Sequence, residues 1–170
     1  SSDRKFPMRR LILVKHSLPA LTSGVPPSEW PLSEEGERRA AALADAVAGM
    51  GAGSLYSSDE RKAMQTAEII SERVGLPVQV RPGFREHDRT DVPFMQQEEW
   101  HATVVKAIRS PGEHILGSET VGEAARRFES ALVAAESEAV LGAMVVVSHG
   151  TVMSMFLARL LDTDPVEIWN

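Results

Sequence analysis

The sequence predicts an α/β protein, a three-layer α/β/α sandwich on a mostly parallel central sheet. Three observations carry that expectation. Two runs of β-forming residues, Leu11-Ile12-Leu13-Val14 and Met144-Val145-Val146-Val147, are continuous rather than alternating, which suits strands buried on both faces of a parallel sheet. Between them, segments of helical period alternate with shorter strand-like ones. Each apolar run is also followed closely by a histidine, His16 and His149, and the carboxyl ends of parallel strands are where open α/β sheets hold ligands.

In chain order, residues 1–7 are polar and aperiodic and read as a disordered start or a remnant of cloning; a single domain is expected over 8–170. The first strand covers about 10–15. Residues 17–31 contain Pro19, Gly24, Pro26, Pro27 and Pro31 and read as a long loop over the strand end. Ser33 is expected to cap a helix through Ala48, stopped by Gly49 and Gly51. A short strand at 54–57 precedes a helix from about Glu60 to Val74, with Ser58-Asp59 as its N-cap, and residues 77–80 form a third strand. Residues 81–97 are charged and Pro-containing loop. Helices are expected at 98–108 and, starting from Ser118, over 119 to about 140, the latter with Val121, Ala124, Ala125, Phe128, Leu132 and Ala135 facing inward. A strand at 143–147 and a helix at 150–161 follow, and residues 164–169 read as the start of another element.

Composition narrows the function classes. Of 170 residues, 43% are hydrophobic and 25% charged, which places the chain among globular proteins. The formal charge of −6 disfavours nucleic acid as a partner, and the absence of cysteine excludes disulfides and thiolate catalysis. No apolar stretch has the length of a membrane span and no export signal is evident, so no membrane partner is expected and the cytoplasm is the default location. Trp100, Trp169 and the methionines read as packing residues, and His101 and His114 as surface ones.

A lone histidine at a strand end is more often structural than chemical. Two at equivalent ends invite a shared crevice. His16 is preceded by a cation, Lys15, and His149 is followed by Gly150 and an apolar helix whose first-turn amides are suited to an anion. Lys62 follows Arg61 in the first turns of its helix; from composition alone it is a solvated surface lysine, and the two side chains diverge by about 100°. Glu86 lies in the polar cluster Phe84-Arg85-Glu86-His87-Asp88-Arg89, where a carboxyl group near imidazoles and an anion suits acid–base work. A metal site built from His16, His149, His87 and Glu86 is disfavoured by the adjacent lysines.

Taken together, Leu13-Val14-Lys15-His16-Ser17, Pro31-Leu32-Ser33-Glu34-Glu35-Gly36, the segment from Tyr56 to Ala67, Ser118-Glu119-Thr120 and Val147-Ser148-His149-Gly150 resemble, in order, the motifs of the histidine phosphatase superfamily with its phosphoglycerate-mutase-like fold. The resemblance implies that Nε2 of His16 is the nucleophile, His149 stabilises the transferring phosphoryl group, and Glu86 protonates the leaving oxygen, with neighbouring carboxylates as alternatives. It implies no cofactor and a small phosphorylated substrate as partner. Both positions where the family holds a phosphate-binding arginine carry lysine, Lys15 and Lys62, which keeps the charge and loses the bidentate fork. Arg61, Arg9, Arg10, Arg85 and Arg89 are candidates to replace that fork, and Ser17, in place of the motif's glycine, either donates a hydroxyl to the anion or crowds it. The implied activity is a metal-independent phosphatase acting through phospho-His16. An inactive member binding a phosphorylated ligand or a protein is the alternative. A mutase is less favoured, because the stretch between Val80 and the middle of the long helix leaves little room for the inserted segments with which family mutases enclose the substrate.

Overall fold

The computed structural model describes residues 10–138 and 140–170. The expected start at 1–7 and the candidate Arg9 lie outside the described residues. Four strands, β1 (Leu11–Lys15), β2 (Ala52–Ser57), β3 (Val78–Val80) and β4 (Ala143–Ser148), form one parallel sheet in the order β1-β4-β2-β3. Helices α1 (Glu34–Ala48), α2 (Arg61–Val74), α3 (Gln97–Arg109), α4 (Val121–Ser137), α5 (Gly150–Leu161) and α6 (Pro165–Trp169) connect and flank it.

Side chains that alternate along each strand divide the core in two. Ile12, Val14, Leu55, Val145 and Val147 pack against α1 and α2, while Leu11, Leu13, Tyr56, Met144 and Val146 pack against α4 and α5. Every residue of β4 is buried, which is why its sequence shows no polar alternation. The three-layer sandwich expected from the sequence is therefore present, with its sheet wholly parallel. α3 and α6 meet through Val104, Ile108 and Val166, with Trp100 and Trp169 packed beside them.

Register aligns the strand ends. Lys15 pairs with Ser148, and Ser57 pairs with Val147 on one side and Val80 on the other. The ladder continues one residue further, with the N–H of His16 donating to Ser148 O and that of Ser58 to Val147 O. His16, His149 and Ser58 consequently leave the sheet side by side.

Helix starts follow the sequence where the capping side chain has no competing partner. Ser33 accepts from the N–H of Gly36 at 3.0 Å, as expected. α2 instead begins at Arg61 with Glu60 as an N-cap that makes no side-chain cap bond, because Ser58 turns to His149 and Asp59 to Arg85. α4 begins at Val121, capped reciprocally by Thr120 and Glu123 rather than from Ser118, whose hydroxyl donates to Asp88. α4 ends at Ser137, short of the expected 140. Among the described residues no helix is long and apolar enough to cross a membrane.

Candidate active site

His16 follows β1 directly. Its Nδ1 lies 2.7 Å from Ser17 O, and since a carbonyl only accepts, that nitrogen carries the proton and Nε2 of the neutral ring keeps its lone pair. Burial, then the neighbouring His149 ring, hold the His16 pKa down to about 3; Lys62 and Lys15 act in the same direction and the Ser17 carbonyl opposes them. The two imidazole centroids are 5.0 Å apart, so the strand ends bring the expected pair together.

His149 is fully buried, and burial depresses its pKa to about 3 even though Glu86 pulls it up; Lys62, Arg89 and Arg127 add to the depression. Its Nε2 lies 2.7 Å from Ser58 Oγ and 3.0 Å from Glu60 Oε2, while Nδ1 is buried without a hydrogen-bond partner among the described residues.

Glu60 was not singled out in the sequence. Its carboxylate, 7% exposed, touches three elements of the site: Oε2 accepts the N–H of Glu86 at 2.8 Å and meets His149, and Oε1 lies 3.3 Å from Lys62 Nζ. An isolated acid beside Asp59 at a helix start gives no periodic signal, and its position between Ser58 and Lys62 was the available clue.

Lys62 is buried rather than solvated. Its ammonium donates to Pro27 O at 2.7 Å and lies 5.7 Å from the Trp30 ring centroid, tying α2 to the loop after His16. Arg61 is exposed. Lys15 is exposed as well, yet a Cβ placed on Gly150 would lie 3.6 Å from its Nζ, so the ammonium rests over the start of α5. Among the other fork candidates, Arg10 donates to Met50 O at the opposite end of β1, and Arg85 donates to Asp59. Arg89 lies beside the site: Nη2 donates to Thr151 Oγ1 at 2.7 Å, the guanidinium stacks 4.9 Å from the Trp100 centroid, and its buried Nε has no hydrogen-bond partner among the described residues.

Two expectations are corrected. The first turn of α5 does bind an anion, but that anion is Glu86: its Oε2 accepts from the N–H of Thr151 at 2.9 Å and its Oε1 from Val152 at 3.2 Å and His87 at 2.8 Å. Ser17 has both donors engaged, its N–H with Thr66 Oγ1 at 3.0 Å and its hydroxyl with Gly36 O at 2.7 Å, so it braces the loop instead of offering a hydroxyl to an anion. Burial alone would raise the Glu86 pKa, but Arg89, His149 and the Thr151 and His87 amides together bring it to about 2. His87, weighed as a ligand, bonds Glu119 O through Nε2, and among the described residues no group of three or more His, Asp or Glu is arranged to hold a metal ion.

A cleft of about 600 Å³ opens beside the two imidazoles, with Pro27, Glu60, Lys62, Glu86 and Arg89 in its wall and neither His16 nor His149 in its lining. A neutral histidine with a free Nε2, a second imidazole beside it and a buried carboxylate at the end of a parallel sheet is an arrangement suited to taking up a phosphoryl group. Comparison with known families agrees: residues 11–170 match the histidine phosphatase superfamily, branch 1. The chain belongs to that superfamily.

Its relatives within the histidine phosphatases include a probable phosphoglycerate mutase GpmB of Yersinia enterocolitica, 28% identical over 145 residues that make up 81% of this chain and 66% of that protein. A GpmB of Yersinia pestis (strain Pestoides F) is 30% identical over 79% of this chain and 65% of its own length. The chain thus spans just under two thirds of the length of these curated relatives. Among solved structures, a mycobacterial glucosyl-3-phosphoglycerate phosphatase superposes with a TM-score of 0.74 at 26% identity, covering 95% of this chain and 83% of that one. The same mycobacterial phosphatase in complex with inorganic phosphate gives 0.71 at 27% identity, covering 95% and 83%. Bacillus stearothermophilus YhfR, at 20% identity and a TM-score of 0.75 over 94% of this chain and 83% of its own, shares the fold.

Proposed function

We propose that this protein, as a single domain over residues 8–170, is a phosphatase that hydrolyses a small phosphomonoester through a phosphohistidine on His16. The observation that carries it is the protonation pattern of His16: with Nδ1–H committed to Ser17 O, the free nitrogen is Nε2, the atom that must attack phosphorus. In the first step Nε2 forms the P–N bond as the P–O bond to the leaving group breaks. In the second, water attacks the phosphohistidine, the P–N bond breaks, and phosphate departs. Phosphoryl transfer of this kind depends on positioning and charge more than on covalent activation. Lys15 over Gly150 and Lys62 in the cleft wall supply positive charge where the family resemblance places arginines.

Glu86 serves as proton carrier in this mechanism. Its ionised carboxylate is set to receive a proton, and a phosphate dianion arriving beside it disfavours that charge and raises its proton affinity, which readies it to protonate the leaving oxygen. The same carboxylate then takes the proton of the attacking water.

Catalysis with an aryl phosphate, followed by a basic quench, tests the proposal: acid-labile phosphate on His16, lost in His16→Ala, is the expected result. A folded protein that binds inorganic phosphate yet gives neither turnover nor label indicates the second reading, a member that binds phosphorylated ligands without cleaving them. That second reading is favoured by one observation, the engagement of Lys62 with Pro27 O and Glu60.

A further inference from the structure

We propose that Glu60 is a positioning residue that makes His149 a proton-donating cation when a phosphoryl group is bound. The inference rests on the phosphatase reading for its kinetic consequence, though not for its structural one.

A carboxylate repels a ring lone pair, so Glu60 Oε2 at 3.0 Å from Nε2 favours the neutral His149 tautomer that carries its proton on Nε2. Ser58 Oγ, 2.7 Å from the same nitrogen, accepts the N–H of Glu60 and closes the cluster. The nitrogen left over is Nδ1, buried and without a hydrogen-bond partner among the described residues. In the neutral ring Nδ1 presents a lone pair, which repels a phosphoryl oxygen; only when protonated does it donate. His149 can therefore stabilise an anion only as imidazolium, and that ion needs a counter-charge.

Most of what faces His149 opposes the charge. Lys62 on α2, Arg89 on the loop after β3, Arg127 on α4 and the His16 ring disfavour it, and Glu86 favours it. Glu86 accepts three backbone amides and faces Arg89; Glu60 accepts the Glu86 N–H and lies 3.3 Å from Lys62, but it is the carboxylate that meets the ring directly. The proton has an available source. A phosphomonoester has its second ionisation near pH ~6 and arrives partly as the monoanion; transfer of its remaining proton to Nδ1 leaves a dianion bonded to an imidazolium, with total charge unchanged. The arrangement repeats the logic of a carboxylate that orients a catalytic imidazole and stabilises its charged form.

The test is nitrogen NMR on the whole protein with labelled histidine, titrated with inorganic phosphate near pH 6.5. The expected result is an Nε2–H tautomer of His149 without phosphate and a doubly protonated ring at saturation. A His149 that carries its proton on Nδ1, or stays neutral with phosphate bound, overturns the proposal in the wild-type protein alone. Glu60→Gln keeps an acceptor for the Glu86 amide and removes the charge. It should lower the His149 titration midpoint in the phosphate complex by about one unit, and lower kcat for p-nitrophenyl phosphate about 10-fold with KM changed less than about threefold. The alkaline limb of the kcat profile should move down by the same unit, and Glu60→Asp should restore part of it. Equal midpoints and an unmoved limb in Glu60→Gln refute the role. Absence of turnover in every form refutes the phosphatase reading and leaves the NMR result to decide this one.

Discussion

The Glu86 carboxylate closes the amino end of α5 by accepting the Thr151 N–H at 2.9 Å, so an anion from a loop far back in sequence neutralises that helix terminus. Because its pKa falls from 4.5 to about 2 on folding, the folded state holds the ionised form more tightly than the unfolded chain does. The stabilisation is complete above the unfolded value and disappears as pH drops through the folded one. Its size is roughly 3 kcal/mol. Urea denaturation of wild type and Glu86→Gln should show a stability gap at pH 6 that narrows steadily from pH 5 toward pH 2.5. A gap of constant size over that range contradicts the assignment.

The two histidines act in the same sense by a different route. Each has a folded pKa near 3 against 6.5 in the unfolded chain, so below pH 6.5 the unfolded state binds protons that the native state refuses. Stability should fall by about 1.4 kcal/mol per pH unit per histidine as pH drops from 6.5 toward 3. His16→Asn should remove one such increment from the slope. An unchanged slope means that His16 titrates normally in the fold.

Lys62 is expected to serve both the anion and the loop. Lys62→Ala removes the bond to Pro27 O and the cation beside Trp30, so tryptophan emission should change and kcat/KM for an aryl phosphate should fall about 100-fold or more. Lost activity with unaltered emission would separate the two roles and discard the loop-anchoring one.

Gly36 lies where α1 meets the loop that follows His16. A Cβ there would stand 2.1 Å from Leu18 O, so Gly36→Ala must push the two apart and disturb the Ser17 hydroxyl bond to Gly36 O. A loss of about 2 kcal/mol is expected, together with reduced activity. Denaturation midpoints within error of wild type would show that the loop yields without cost.

The sequence was legible wherever periodicity and capping are local. β1 and β4 stand out as unbroken apolar runs, and α1 shows its Ser33 cap and terminal glycines. What stayed hidden depends on contacts between distant segments. Lys62 looks like a surface lysine because its acceptor, Pro27 O, belongs to a loop over thirty residues earlier. The α5 amides looked open to an anion because their acceptor, Glu86, comes from the loop after β3. Ser58 and Ser118 are good capping residues that are drawn into other bonds, and Glu60 shows its purpose only once His149 is placed beside it.

The sheet order β1-β4-β2-β3 has a consequence for how the protein assembles. β4 joins the first strand to the second, so neither His16 nor the Ser58–Glu60 segment can meet His149 until the chain has been synthesised through residue 149. Before then β1 and β2 are separated by an unfilled slot, with apolar edges open to wrong partners. Long-range closure of this type makes folding slow compared with helix-rich chains of the same size. The bonds of His149 therefore mark completion of the sheet, and a nascent chain halted before β4 should have no site and a strong need for a chaperone.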